Sequence, residues 1–162
     1  MKRTFAYLMT AFLATALAVT SCSPIKDAPD KKDTVEFEGA LAGNWVLPSN
    51  GSSATGTFTG TYNKVTKSLS YTINYTGITP TGGSINLAPG GPGTNGASIA
   101  TFTSLNSPIS GTINFTQNQS SEQAQAWENA LMEERMYVNL TTTQYPAGEI
   151  RGNIMRAPIS ND

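Results

Sequence analysis

The chain has 162 residues, ten basic and eleven acidic side chains, no histidine and one cysteine. Without histidine there is no Ser-His-Asp triad, no Cys-His nucleophile and no imidazole-built zinc or copper site, and one cysteine forms neither an internal disulfide nor a Cys₄ metal knot. A net charge of −1 lacks the basic excess that a nucleic-acid partner needs.

Charged residues make up 13% of the chain, about half the usual quarter. Polarity comes instead from 22 threonines, 15 serines and 13 asparagines, a composition suited to half-solvated strands. Lys2 and Arg3 precede an uncharged, mostly apolar run from Phe5 to Val19. A positive start and a short apolar core describe a secretory signal, since a membrane-spanning helix needs about 20 apolar residues. The run ends in Val19-Thr20-Ser21-Cys22, which resembles a bacterial lipobox. That resemblance implies cleavage after residue 21 and acylation of Cys22, with the membrane as a partner through the lipid. It also accounts for a lone thiol in an exported protein.

Residues 22–33 are rich in Pro, Lys and Asp and read as a solvated tether. Asp27, Asp30 and Asp33 within it lack the spacing and the glycine turn of a calcium loop. Ser23-Pro-Ile-Lys26 matches a Ser-x-x-Lys nucleophile pattern, but it sits beside the anchor, where no pocket is expected. Asp33-Thr34-Val35 resembles a bacterial O-glycosylation site at Thr34.

From residue 39 to 121 there is no acid, and the only bases are Lys64 and Lys67. There the apolar positions alternate: Phe58 and Tyr62; Leu69, Tyr71, Ile73 and Tyr75; Ile109, Ile113 and Phe115. Thr and Ser fill the places between them. Period two with one hydroxylated side predicts antiparallel strands with one wet face. Asn63 to Lys67 is the expected turn between two of them. Further strands are expected at 35–41, 97–102, 136–142 and 148–155, with an eighth if 85–87 pairs. Ser120-Ser-Glu-Gln123 reads as a capping box, followed by an apolar stripe of Ala124, Trp127 and Leu131. It predicts one short helix over about 120–134, with Trp127 packed in the core. The fold expected is all-β: an antiparallel, Greek-key-like β-sandwich of about seven or eight strands. The domain spans 34–157, and 158–162 form a tail.

Taken together, Val35 to Pro48, Ala54 to Phe58, Leu69 to Ile78, Ile109 to Ile113 and the closing run from Tyr137 to Gly152 resemble, in order, the CHRD (chordin) domain family. Val35 to Pro48 is similar to the family's opening strand and proline loop. Ala54–Phe58 and Leu69–Ile78 resemble its first hairpin, and Ile109–Ile113 a later strand. The most specific likeness is Tyr137-Val-Asn-Leu-Thr-Thr-Thr-Gln-Tyr-Pro146-Ala-Gly148-Glu-Ile-Arg-Gly152. It resembles the closing signature, an asparagine strand, a Pro-x-Gly turn and then Glu-Ile-Arg-Gly. Family members usually carry three histidines where this chain has Ser84, Asn86 and Thr141, and a glutamate where it has Trp45. Those histidines are similar in kind to the metal ligands of copper–zinc superoxide dismutases. If the family site holds a transition metal, Ser, Asn and Thr are poor replacements, so this chain is expected to have lost it and to need no cofactor.

Several features invite chemistry and have plainer readings. Gly91-Pro-Gly-Thr-Asn-Gly96 spells a dinucleotide fingerprint, but no helix follows and no acid stands about 20 residues on, so no nucleotide is expected. The surrounding segment, 79–96, reads as a long loop. Glu149 and Arg151, two apart on one strand face, are expected to form a structural ion pair. Glu149 has no second acid nearby for glycosidase chemistry. Glu36 and Glu38 read as a solvated strand edge. Trp45 and Tyr145 stand in turn-rich segments, where an aromatic either packs beneath a loop or meets a ligand. With Asn86 and Thr141 they are the candidate binding residues. The expectation is a lipid-anchored, non-catalytic envelope protein with a binding or structural role toward envelope proteins or glycans. A glycan-binding module is the first alternative, and a redox or metal-handling protein the second.

Overall fold

The computed structural model describes residues 33–158. The expected signal, Cys22, nearly all of the tether and residues 159–162 lie outside the described residues. Among those described, no helix is long and apolar enough to cross a membrane.

The chain opens with three nine-residue strands, β1 (Thr34–Ala42), β2 (Thr55–Asn63) and β3 (Ser68–Thr76). They form an antiparallel meander in full register. The β2–β3 turn is the expected one. The Asn63 carboxamide oxygen accepts the backbone N–H groups of Val65 and Thr66 at 2.9 Å each, a local alternative to the ladder that asparagine supplies readily. Then come β4 (Gly82–Leu87), β5 (Ser98–Thr101), β6 (Ile109–Asn114), helix α1 (Ser121–Met132), β7 (Met136–Thr141), β8 (Ile150–Asn153) and the two-residue β9 (Met155–Arg156).

All nine strands join one antiparallel sheet in the order β5-β4-β7-β8-β1-β2-β3-β6, with β9 on β1. The Phe102 ring beyond β5 meets Tyr71 of β3 at 5.7 Å between centroids. The two ends of the sheet therefore curl toward each other into a nearly closed barrel. The all-β antiparallel fold with one helix is the one expected. Continuity of the sheet was not legible, because alternation reports which face is buried and not how many sheets share it.

Alternation fixes the core. Phe37, Leu41, Phe58, Tyr62, Leu69, Ile73, Ile85, Val138, Leu140 and Ile150 all point inward and are buried, each such side chain contributing roughly 1.5–3 kcal/mol. The outward positions of β3 and β6 form cross-strand hydroxyl pairs, Ser70 with Thr112 and Thr72 with Ser110, both at 3.1 Å. Glu36 and Glu38 are exposed as expected, but β1 is an interior strand, not an edge. Glu36 accepts from the Thr61 hydroxyl at 2.7 Å.

Helix α1 sits between β6 and β7. Ser120 Oγ accepts the Gln123 N–H at 3.2 Å, the serine half of the expected cap. Trp127 packs edge-on against Phe115 at 5.8 Å, so its stripe is core. Lys67 of the β2–β3 turn meets Glu128 at 2.7 Å and fastens the helix to the sheet.

One core group is unsatisfied. The Tyr62 hydroxyl is buried with no hydrogen bond of full geometry among the described residues, although the Glu128 carboxylate lies near enough to attract it. Burial, and then the negative Glu128, push its ionisation above the usual phenol range. A buried hydroxyl without a partner costs free energy that a phenyl ring does not. Tyr62→Phe is therefore expected to raise stability by about 1 kcal/mol, as read by chemical denaturation; a loss of that size would show that the hydroxyl has a partner in solution.

Candidate functional site

The closing signature folds into the place where three loops meet. Strand β7 ends at Thr141 and β8 begins at Ile150, so residues 142–149 form a turn beside the C-terminal end of β1. Pro146 and Gly148 shape it. Gly148 has φ 143°, and a Cβ there would lie 2.3 Å from Asn139 Oδ1, so a side chain does not fit. Asn139, on β7, donates from Nδ2 to Ala147 O at 3.0 Å. The asparagine of the closing strand thus holds the Pro-x-Gly turn.

Glu149 lies at the exit of this turn with its residue 9% exposed. Its carboxylate accepts two hydroxyls, Ser52 Oγ at 2.8 Å and Thr142 Oγ1 at 2.5 Å. Ser52 belongs to the proline loop that follows β1. In that loop Asn50 Nδ2 donates to the carbonyl oxygens of Gly148 and Glu149, both at 3.1 Å. Asn50 Oδ1 accepts the Ser52 N–H at 3.0 Å. Val46 is buried beneath the same loop. Glu149 therefore fastens the proline loop to the closing turn.

Arg151 faces another loop. It is 1% exposed, yet its terminal nitrogens bond only neutral oxygens: Nη1 to Asn95 Oδ1 and Nη2 to Thr94 O, each at 2.7 Å. The guanidinium carbon lies 3.5 Å from the centre of the Tyr137 ring, a stacking worth about 2 kcal/mol when desolvated. Burial pushes the guanidinium below its ordinary range, an effect opposed by Tyr137. Gly96 N–H donates to Tyr137 Oη at 3.3 Å, and Asn95 Nδ2 reaches Leu47 O at 3.4 Å. The loop following β4 thus folds back over the outer face of β7 and β8 to touch the proline loop.

These contacts correct two expectations. Glu149 and Arg151 do not form an ion pair; the described salt bridges are Lys67–Glu128 and Arg135–Glu133. The turn at Gly148 directs the carboxylate to Ser52 and Thr142, while Arg151 lies across Tyr137. The 79–96 segment is not one long loop, since β4 occupies 82–87 and pairs with both β5 and β7.

The candidate binding residues do not converge on one site. Ser84, Asn86 and Thr141 share the outer face of β4 and β7, with Ser84 opposite Asn139, Asn86 opposite Tyr137 and Thr141 opposite Gly82. Asn86 and Thr141 are thus four residues apart in register, about 13 Å along the strands. Asn86 is buried, and its side chain is exchanged with Ser84 through Oγ and Nδ2 at 3.0 Å. Thr34 begins β1. Tyr145 is half-buried in the closing turn, its N–H donating to Thr142 Oγ1 at 3.2 Å. Trp45 is different: it ends a single 3-10 turn and is 53% exposed, with Leu47 beside it at 36%. Among the described residues, no group of three or more Cys, Asp or Glu is arranged to hold a metal ion.

Sequence reading missed Asn50, Ser52, Thr94, Asn95 and Tyr137. The Asn50-Gly-Ser52 turn is a visible local signal, but its attachment to residue 149 crosses almost a hundred positions and has no local trace.

No curated protein and no solved structure matches the chain. The model of the CHRD domain matches residues 37–154, from the core of β1 through the end of β8, which takes in the proline loop, the glycine-rich loop and the closing turn. The chain belongs to the CHRD domain family.

Proposed function

We propose that the protein is a non-catalytic binding module, held at a bacterial envelope through acylated Cys22, whose working surface is the proline loop around Trp45. The observation that carries this reading is the exposure of Trp45 and Leu47 on a loop that is otherwise pinned. Four large hydrophobic side chains are exposed among the described residues, and two of them are on this loop. Val46, Asn50 and Ser52 fix the loop to the barrel from beneath. An aromatic held out on a rigid loop meets a partner at low entropic cost. Absence of histidine from the chain and its single cysteine support binding over acid–base or thiol catalysis. A lipid on Cys22, followed by a polar tether, gives such a module reach from the membrane.

The proposed partner is an envelope protein. Trp45→Ala is expected to weaken capture of that protein from envelope extracts about thirtyfold, the roughly 2 kcal/mol of an interface hot spot. Stability should change by less than about 0.5 kcal/mol. Equal capture by wild type and variant would rule this surface out. If a glycan array instead gives the Trp45-dependent signal, the glycan reading replaces the protein one. Separately, Cys22→Ala should move the protein from the membrane to the soluble fraction; unchanged partition would contradict the lipid anchor.

A further inference from the structure

Arg151 is a buried cation with no anion paired to it among the described residues. No described salt bridge includes it. The nearest acid in sequence, Glu149, is committed to Ser52 and Thr142. Residues 39–121 contain no acid, so the loop above Arg151 carries none; of the two strands beside β8, β7 carries none, and the acids of β1, Glu36 and Glu38, stand four or more residues from Ala42, the residue opposite Arg151. Leaving a cation out of water without a counter-charge is unfavourable, and stacking on Tyr137 and two hydrogen bonds to neutral oxygens only partly offset this.

The arrangement of those two bonds is specific. Two oxygens from adjacent residues, Thr94 O and Asn95 Oδ1, sit one on each terminal nitrogen at the same 2.7 Å. That is how the two oxygens of a carboxylate or phosphate group meet a guanidinium. Both oxygens belong to a glycine-rich loop whose hydrogen bonds are mostly internal, such as Thr94 Oγ1 to Gly91 O at 2.9 Å. Gly91 and Gly93 adopt φ 89° and 91° with open space around them. The base of the loop is held separately by Leu87 N–H to Ala97 O at 2.9 Å and by Ala88 N–H to Arg135 O at 2.8 Å, so residues 89–96 lie beyond these anchors and their displacement does not unpair β4.

We propose that Arg151 is an oxyanion site masked by the glycine-rich loop: a carboxylate or phosphate-type group displaces Thr94 O and Asn95 Oδ1 and takes both terminal guanidinium nitrogens. The proposal does not rest on the proposed docking surface, although Asn95 of the covering loop also reaches Leu47 O. Bringing the anion closes the charge balance of Arg151 and frees the loop, which also touches Leu47 O.

The test titrates the full-length protein in detergent with sodium phosphate, sodium acetate and sodium chloride at constant ionic strength. The readout is the backbone amide resonances of Gly91, Gly93 and Gly96. Phosphate, acetate or both should give a saturable shift, and chloride should not. A response to phosphate alone assigns phosphate-type groups as the ligand chemistry, and a response to acetate alone assigns carboxylates. Asn95→Ala removes one competing oxygen and should bind about tenfold more tightly, the worth of one charge-assisted hydrogen bond. Asn95→Asp puts a carboxylate of the chain itself on Nη1; it should abolish the response and raise the melting temperature. Arg151→Lys keeps the charge without the fork and should bind at least tenfold more weakly. No saturable response in both wild type and Asn95→Ala would overturn the proposal. So would equal shifts with chloride, or an unchanged response in Asn95→Asp.

Discussion

Gly152→Ala is expected to cost about 3 kcal/mol and to lower the melting temperature by about 10 °C, although it adds a single methyl group. The reason lies between two short stretches of pairing. Strand β1 pairs with β8 at Ala42–Arg151 and with β9 at Phe37–Arg156 and Glu38–Met155. Between them the two backbones pass at close range. A Cβ on Gly152 would lie 2.3 Å from Ala40 O and 2.9 Å from Ala40 C, and one on Gly39 would lie 2.3 Å from Asn153 O. The obstructing atoms are main chain, so no side-chain rotation relieves them. The strands must part, and the buried contacts of Leu41 and Ile150 go with them. Thermal unfolding of the variant measures this. A melting temperature within about 2 °C of wild type would show that the strands separate without loss.

Glu149→Ala is expected to cost about 3 kcal/mol as well, by a different route. It removes the charged acceptor of two hydroxyls, and hydrogen bonds to charged groups are worth about 1.5–3 kcal/mol each, reduced here by the cost of burying the charge. Ser52 loses its link to the barrel, so the proline loop should loosen. Hydrogen exchange at the Ser52 and Ala54 amides, which bond Asn50 Oδ1 and Ser52 Oγ, should quicken in Glu149→Ala. Glu149→Gln retains one acceptor oxygen and should cost about 1 kcal/mol. A full cost for Glu149→Ala with almost none for Glu149→Gln would mean that volume, not charge, holds the loop.

Much of this fold could be read from residues because its signals are local. Ile73 next to Thr72, and Ile113 next to Thr112, declare a two-sided strand within a few positions. Ser120 and Gln123 declare a helix start within one turn. The family likeness was legible for a related reason: Asn139, Pro146, Gly148 and Gly152 occupy positions where turn geometry or close approach demands that residue type. What could not be read was pairing across the chain. Glu149 and Arg151 look like neighbours at spacing two, and the actual partners are 97 and 56 positions away, Ser52 and Asn95. Burial of Arg151 was hidden for the same reason. Strand alternation put it on the face with Glu149, and a loop starting after Leu87 returns to cover it there. Exposure of Trp45 turns on which of its neighbours supplies the anchor, and Val46 takes that part.

The closing Glu-Ile-Arg-Gly motif serves two loops through two independent side chains. A double-mutant cycle between Glu149→Gln and Arg151→Gln, read by denaturant unfolding, tests it most directly. Residues without a shared partner add within about 0.5 kcal/mol, and that additivity is the predicted result. A coupling of about 1.5 kcal/mol or more would mean that the carboxylate and the guanidinium hold each other after all, and would contradict the division of the motif between the proline loop and the glycine-rich loop.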